Sequence, residues 1–153
     1  MKYSASSFGD FKCAYCHVMV SSAHFLSGVN NRNHCPYCLW SCHLDLFAAG
    51  DRLSACKGRM KPIGLTMKHS RNKYRPDGRG ELMLIHQCIE CGALSINRIA
   101  ADDDPSTILA IFQGSLENSN QNIGVEIILL SSRDGEDIYR QLYGGVELEP
   151  AVR

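Results

Sequence analysis

Cys13-Ala14-Tyr15-Cys16 and Cys35-Pro36-Tyr37-Cys38, with eighteen residues between them, decide how this chain folds. Two cysteines three apart turn both thiolates toward one point from a tight turn, and two such turns complete the tetrahedron of a structural zinc site. Cys13, Cys16, Cys35 and Cys38 are therefore read as the ligands of one zinc ion. In zinc-finger peptides such a site supplies roughly 10 kcal/mol or more at neutral pH, comparable to the whole stability of a small domain. Cys35-Pro36-Tyr37-Cys38 also has the form of a glutaredoxin redox pair, but nothing before Cys35 resembles the strand that such a pair follows, and a matching second pair is present. A nucleobase deaminase would carry His-x-Glu followed by Pro-Cys-x-x-Cys, and this chain has neither. Asn33-His34 beside the second pair leaves a metal-dependent nuclease open, although a histidine flanking a knuckle more often hydrogen-bonds the site than catalyses.

Cys88-Ile89-Glu90-Cys91-Gly92 is a third knuckle, and it needs two more ligands from Cys42, His43, Cys56, His69 and His86. The stretch from Trp40 to Leu46 alternates, with Trp40, Cys42, Leu44 and Leu46 on one side and Ser41, His43 and Asp45 on the other, the period of a half-buried strand. On that reading Cys42 is a buried structural cysteine and His43 points the other way. The second site is expected at His43, Cys56, Cys88 and Cys91, with His86 or Cys42 as substitutes and an unmetallated pair as the alternative.

With 153 residues the chain suits one compact domain, or one domain with a small appendage. No apolar run reaches the eighteen or more residues of a membrane span, and Met1 to Phe8 lacks the apolar core of a secretory signal, so a cytoplasmic location is expected. Eight cysteines in a reducing compartment point to metal rather than disulfides. Formal charge cancels, but unevenly: Arg52, Lys57, Arg59, Lys61, Lys68, Arg71, Lys73, Arg75 and Arg79 stand against the single acid Asp77 between positions 52 and 80. From Ile99 onward ten acids face three arginines. Such asymmetry suggests a polyanion-binding surface beside an acidic module, or self-neutralisation within the fold.

Positions 71–80 combine turn formers with cations and read as an exposed loop. Glu81 to Gln87 reads as a strand running into Cys88. Asp104-Pro105 caps a helix carrying Ile108, Leu109, Ile111 and Phe112, Val125 to Leu130 reads as a strand, and a short helix from near Asp134 carries Ile138 and Leu142 before Gly144-Gly145. The fold class is a small zinc-stabilised α+β domain: zinc-ribbon-like knuckles and short hairpins around two metal sites, plus a C-terminal strand and helix packed on them.

The run Asn31-Arg32-Asn33-His34-Cys35-Pro36-Tyr37-Cys38-Leu39-Trp40-Ser41, followed by His43-Leu44-Asp45, Gly50-Asp51-Arg52 and Cys56 through Pro62, resembles the RNHCP family. The likeness continues through His86-x-Cys88-x-x-Cys91-Gly92 to Asn97 through Asp103, so a zinc-binding domain over 11–104 and an acidic extension over 105–153 are expected. The resemblance implies zinc binding and attaches no activity. It often has Lys where this chain has Cys42, which favours His43 and Cys56 as ligands. An Asn-Arg pair recurs at Asn31-Arg32 and Asn97-Arg98, suggesting two related lobes; Arg98 is expected to pair with Asp102 or Asp103, with phosphate contact as the alternative.

The leading functional reading is a non-enzymatic nucleic-acid-binding module, associated with RNA or the ribosome. Zinc is structural in it, the nine cations between 52 and 80 contact phosphate, and Tyr74 stacks on a base. A protein-interaction adaptor using the acidic tail or the knuckle surface is the second, and a metal-dependent enzyme using His34 or His86 with an open coordination position is the third.

Overall fold

Residues 10–29, 32–46, 53–68, 80–117 and 127–143 are described by a computed structural model of the chain. Among the described residues, two sheets and three α-helices follow one another. Phe11–Lys12 (β1) pairs antiparallel with Met19–Val20 (β2), closing a small ribbon around the first cysteine pair. A single helical turn, His24–Ser27 (α1), follows and ends on Gly28 in the left-handed conformation, φ 74°. Ser41–Cys42 (β3), Arg59–Lys68 (β4), Glu81–Cys88 (β5) and Leu94–Arg98 (β6) then form a four-stranded antiparallel sheet in the order β3-β4-β5-β6.

β5 is central and nearly continuous in burial, from Leu82 to His86 and again at Cys88. A strand covered on both faces reads as an unbroken apolar run. β4 alternates exposed Arg59 and Lys61 with buried Met60 and Pro62, then shifts register against β5 between Pro62 and Gly64. A bulge is where a strand tolerates proline, which has no N–H to give the ladder.

Pro105–Ser115 (α2) starts on Asp104, whose side chain accepts from the Ser106 N–H at 3.2 Å, with Pro105 at the first helical position. Gly135–Tyr143 (α3) follows a 3₁₀ turn, Ser132–Asp134, whose capping box joins Ser131 and Asp134. Ile108 and Phe112 of α2 and Ile138 of α3 meet Leu65, Leu82 and Leu84 of the sheet in one core, with Leu130 and Leu39 beside them. Leu39 immediately follows the second knuckle, so the metal-holding turn is itself anchored in the core. The knuckle lobe has only a satellite cluster of Cys13, Val20 and Cys35, edged by Phe11 and Cys38.

Two expectations need correction. The strand from Trp40 to Leu46 is only Ser41–Cys42, and its faces are reversed: Ser41 is buried at 5 % exposure and Cys42 is half-buried. The chain turns where the second metal site takes hold, with His43 N–H donating to Gly58 O at 2.8 Å and Leu44 N–H reaching back to Cys42 O at 2.9 Å. The expected Val125 to Leu130 strand is, in its described part, a single bridge residue at Ile128 followed by a bond from Leu130 N–H to Leu65 O, 2.9 Å. The expected 71–80 loop, apart from Gly80, and the Gly144-Gly145 helix stop lie outside the described residues.

Candidate metal centres

Three turns in this molecule share one backbone design. In each, the N–H of the first cysteine bonds the carbonyl five residues on: Cys13 to Val18, Cys35 to Trp40 and Cys88 to Ala93, at 2.8, 2.9 and 2.8 Å. The N–H of the residue after the second cysteine bonds back to the first: His17 to Cys13, Leu39 to Cys35 and Gly92 to Cys88, each at 2.9 Å. Closing that turn puts His17, Leu39 and Gly92 in the left-handed region, φ 69°, 67° and 80°. Glycine adopts it freely; for His17 and Leu39 it costs roughly 1–2 kcal/mol each. That a leucine and a histidine accept it shows how strongly the rest of the turn is determined.

The folded chain brings Cys13, Cys16, Cys35 and Cys38 together at one point, and His43, Cys56, Cys88 and Cys91 at another, with the ligand atoms of each group within 4.8 Å of one another. Cys13 and Cys38 sulfurs lie 3.5 Å apart, Cys16 and Cys35 3.7 Å, Cys56 and Cys88 3.6 Å, and Cys91 sulfur lies 3.4 Å from His43 Nδ1. A tetrahedron of ligands about 2.3 Å from zinc has edges of about 3.8 Å, so the spacing fits the ion, while a disulfide would need about 2.05 Å. Four thiolates, or three and an imidazole, form closed sets. The geometry of each centre is compatible with one zinc ion, which these residues would hold. Bound there, zinc supplies a cross-link between turns that have little apolar core of their own.

Hydrogen bonds prepare the sulfurs. Burial opposes ionisation of Cys88, but the N–H groups of Cys91 and Glu90 outweigh it and bring its thiol down to about 6. Burial likewise opposes ionisation of Cys13, and the N–H groups of Cys16 and Tyr15, 3.4 and 3.3 Å from its sulfur, bring it to about 7. Burial pushes the Cys35 and Cys38 thiols up. Each group of four thus carries a thiolate-prone member beside the thiols that metal binding must deprotonate.

The second centre is assembled from three segments. β5 delivers Cys88, the following turn Cys91, the end of β3 His43, and Cys56 arrives just before Lys57, whose φ of 51° turns the chain onto β4. Lys57 Nζ donates to Ser54 O at 2.7 Å. A Cβ on Gly58 would lie 2.9 Å from Cys88 Sγ and 2.5 Å from Glu90 Cγ, so only glycine lets β4 pass this close to the metal ligand. Gly58→Ala should lower zinc affinity at this centre about 10–100-fold, the range seen for supporting residues of metal sites, while the first centre keeps its ion; competition with a chromogenic chelator reads the two sites separately. Cys42, though adjacent, turns its sulfur to Lys57 O at 3.5 Å and lies outside the group.

His34 and His86 have other work. His34 Nε2 lies 2.7 Å from Asp103 Oδ2, and Asp103 also accepts from Arg32 at 3.1 Å and from the Ala100 N–H at 2.8 Å. Arg32 further reaches Asp102 at 2.8 Å and donates through Nε to His34 O at 2.9 Å. The Arg32 and Asp103 side chains are 1 % and 0 % exposed. This buried latch fastens the second knuckle to the turn before α2, aided by Asp104 N–H donating to Pro36 O at 3.1 Å. Arg98 does not pair with Asp102 or Asp103: it emerges from the edge strand and bonds Glu81 at 2.9 Å, because the two acids are already held by Arg32. The two Asn-Arg pairs therefore differ in role, and Asn31 lies outside the described residues.

His86 is fully buried, Nε2 2.7 Å from Leu39 O and Nδ1 2.8 Å from Asn97 Nδ2. Asn97 donates to Nδ1, so Nε2 carries the proton. Burial, reinforced by the charge of His34, holds its pKa down to about 3. The folded value lies below the unfolded 6.5, so as pH falls through that window the unfolded chain takes a proton the native state refuses, and stability is lost. Relative to His86→Gln, which does not titrate, the zinc-loaded wild type should lose about 1.4 kcal/mol per pH unit on acidification from 6.5 toward 3, measured by denaturant titration.

Of the residues expected to contact nucleic acid, Arg52, Arg71, Lys73, Tyr74, Arg75 and Arg79 lie outside the described residues. Lys57, Arg59, Lys61 and Lys68 are exposed, but Lys68 ends β4 about 30 Å from Arg59 by strand rise. The latch and the His86 bonds were not legible as such from composition; the signal for both was the run of polar residues around Cys35 and the Asn97-Arg98 pair. No helix among the described residues is long and apolar enough to cross a membrane.

A family model described as the RNHCP domain matches residues 8–109, more than half of the chain. No curated protein and no solved structure matches it.

Proposed function

The chain belongs to the RNHCP domain family and is a zinc-binding module, and from that premise we propose that it is a non-enzymatic RNA-binding protein in which both zinc ions are structural. The observation that carries this reading is a stacked, cationic platform beside the first knuckle. Tyr15 lies flat on Trp40, ring centroids 4.0 Å apart and planes 3° from parallel, and the Arg59 guanidinium stands 6.0 Å from the Trp40 ring. Tyr15 is 46 % exposed, so the face turned away from Trp40 is open to a base. Lys61 follows Arg59 on the same exposed side of β4. Aromatic faces with flanking cations are the sequence-tolerant way to hold single-stranded nucleic acid.

Both metal groups have four protein ligands, a closed set that reserves no position for a substrate. His34 and His86 are engaged in buried hydrogen bonds, which speaks against the enzymatic reading. The ribosome is one RNA this surface would suit.

The test is retention of single-stranded RNA and ribosomal particles by the zinc-loaded chain across a salt series. Affinity should fall steeply with salt, and Arg59→Glu with Lys61→Glu should reduce the log–log slope by about 1.4, two phosphate contacts at roughly 0.7 each. Tyr15→Ala should weaken binding by about 1–3 kcal/mol with the slope unchanged. Absence of binding at low salt overturns the reading and turns attention to a protein partner.

A further inference from the structure

The two metal groups differ in how far solvent reaches them and in what rests on them. In the first, Cys13 and Cys35 are buried, Cys38 is half-buried and Cys16 is exposed. Cys13 and Cys35 also form, with Val20, the apolar cluster of their lobe. In the second, Cys56 and Cys91 are exposed, His43 is half-buried and Cys88 is buried. None of these four belongs to the core beneath the sheet, where Leu65, Leu82 and Leu84 pack on α2 and α3. An ion can therefore leave the second group with that core standing, whereas the first cannot give up its ion without emptying the core of its own lobe.

Cys56 Sγ lies 3.6 Å from Cys88 Sγ, across 32 positions of sequence. Cys88 ends β5 and pairs with Met60 of β4, while Cys56 stands three residues before β4 begins. Drawing the two sulfurs from 3.6 Å to a bonded length of about 2.05 Å thus moves a segment outside the β4–β5 ladder. Zinc ligation keeps both sulfurs ionised, and the thiolate is the form that attacks an oxidant. Cys56 meets the oxidant at the surface; the buried Cys88 needs only to reach Cys56.

We infer that Cys56 and Cys88 are a peroxide-oxidisable pair that switches the second centre between a zinc-held and a disulfide-bonded state. The Cys56 thiolate attacks one peroxide oxygen, the O–O bond breaks, and the departing hydroxide takes a proton and leaves as water. The Cys88 thiolate then displaces hydroxide from the Cys56 sulfenic acid, which forms the S–S bond and, with a second proton, a second water. In sum, two thiolates, one hydrogen peroxide and two protons give a disulfide, two waters and the released zinc ion; the sulfurs lose two electrons and the peroxide gains them. His43 and Cys91 remain, half of the ligand set that closes a structural site. Freed from the ion, His43 keeps its place only through its N–H to Gly58 O, 2.8 Å, and through its carbonyl, which accepts from Lys57 N–H at 3.2 Å. The two-residue β3 beside it loosens accordingly. The inference goes beyond the RNA-binding reading and does not depend on it.

The test is titration of the full chain, loaded with zinc at both centres, with hydrogen peroxide. Released zinc is read with a chromogenic chelator, disulfides by mass spectrometry of peptides, and the fold by amide NMR. One zinc ion per chain should be released, with a Cys56–Cys88 disulfide formed. Amides at residues 41–44 and 56–60 should shift, and those at 11–38 should stay in place. A dithiol reductant with added zinc should restore the starting spectrum. Cys56→His, which keeps a fourth ligand and removes the dithiol, should hold both ions at the peroxide dose that empties the wild-type centre. Cys42→Ser should release zinc as the wild type does, because Cys42 lies outside the group and turns its sulfur to Lys57 O. Earlier loss of zinc from the first centre, a disulfide joining any other pair, or release that Cys42→Ser blocks would each overturn the inference. So would release that reductant and zinc fail to reverse. Should Cys56→His load only one ion, the disulfide found in the wild-type chain decides alone.

Discussion

Native mass spectrometry of the purified chain should show two zinc ions, and Cys35→Ser should show one, with the ribbon around the first centre unfolded and the four-stranded sheet intact. The lobe that carries Cys13 and Cys16 has strands of two residues each and a satellite apolar cluster made largely of the ligands themselves. A two-stranded hairpin of that size has no independent stability in water, so the ion supplies the cross-link, a term of roughly 10 kcal/mol or more in comparable peptides. The sheet rests on another foundation, Leu65, Leu82 and Leu84 packed on α2 and α3. In Cys35→Ser, loss of amide dispersion confined to residues 11–38, with the β4 and β5 resonances retained, is the expected spectrum. Cys88→Ser should lose the other ion and damage the sheet itself, because Cys88 is the last residue of the central strand and is 1 % exposed. Retention of two ions by either variant would show that the ligand set is wrong.

Asp103→Ala is the most damaging substitution expected away from the metal. It leaves the Arg32 guanidinium, 1 % exposed, without its buried partner, and removes the acceptor of both His34 Nε2 and the Ala100 N–H. Breaking one side of a buried ion pair costs about 3–5 kcal/mol because the remaining charge stays buried. Asp102 still reaches Arg32, but it is 31 % exposed and lies in a weaker field. For a chain of this size the loss corresponds to a melting-temperature drop of roughly 6–20 °C. Asp103→Asn, which keeps one carbonyl acceptor of the same shape, should fall between wild type and alanine. The zinc content of both variants should remain at two, since no zinc ligand is touched; a loss of metal with Asp103→Ala would mean that the latch positions Cys35 as well as fastening it.

Both predictions separate what is written locally from what is assembled at a distance. The spacing of Cys13, Cys16, Cys35 and Cys38 determines a tetrahedral site on its own, because a CxxC turn aims two thiolates at one point whatever surrounds it. The strand from Glu81 and the helix capped by Asp104 are likewise local matters, since alternation and an N-cap act within a few residues. The alternation from Trp40 to Leu46 misled for the opposite reason. Its period is that of a strand, but His43 is drawn toward Cys91, 3.4 Å away and 48 positions on, and the backbone turns to meet it. A pattern of apolar residues carries no information about a ligand that the partner strand delivers.

The polar residues show the same division. Arg32, His34, Arg98, Asp102 and Asp103 are plain in the sequence, and which cation meets which acid is not. Arg98 is only four and five positions from the two acids, yet Arg32 takes them from 70 and 71 positions away, because the knuckle docks on the turn before α2 while the edge strand carries Arg98 toward Glu81. Charge pairing in a fold is decided by which segments are packed against each other, and sequence distance has little say in it. The sequence by itself thus determined the family, the metal and the existence of three knuckles, all of which depend on spacing within a turn. Only the tertiary structure decided how the second centre closes and what His34 and His86 hold, because these depend on which segments pack and which strands pair across the chain.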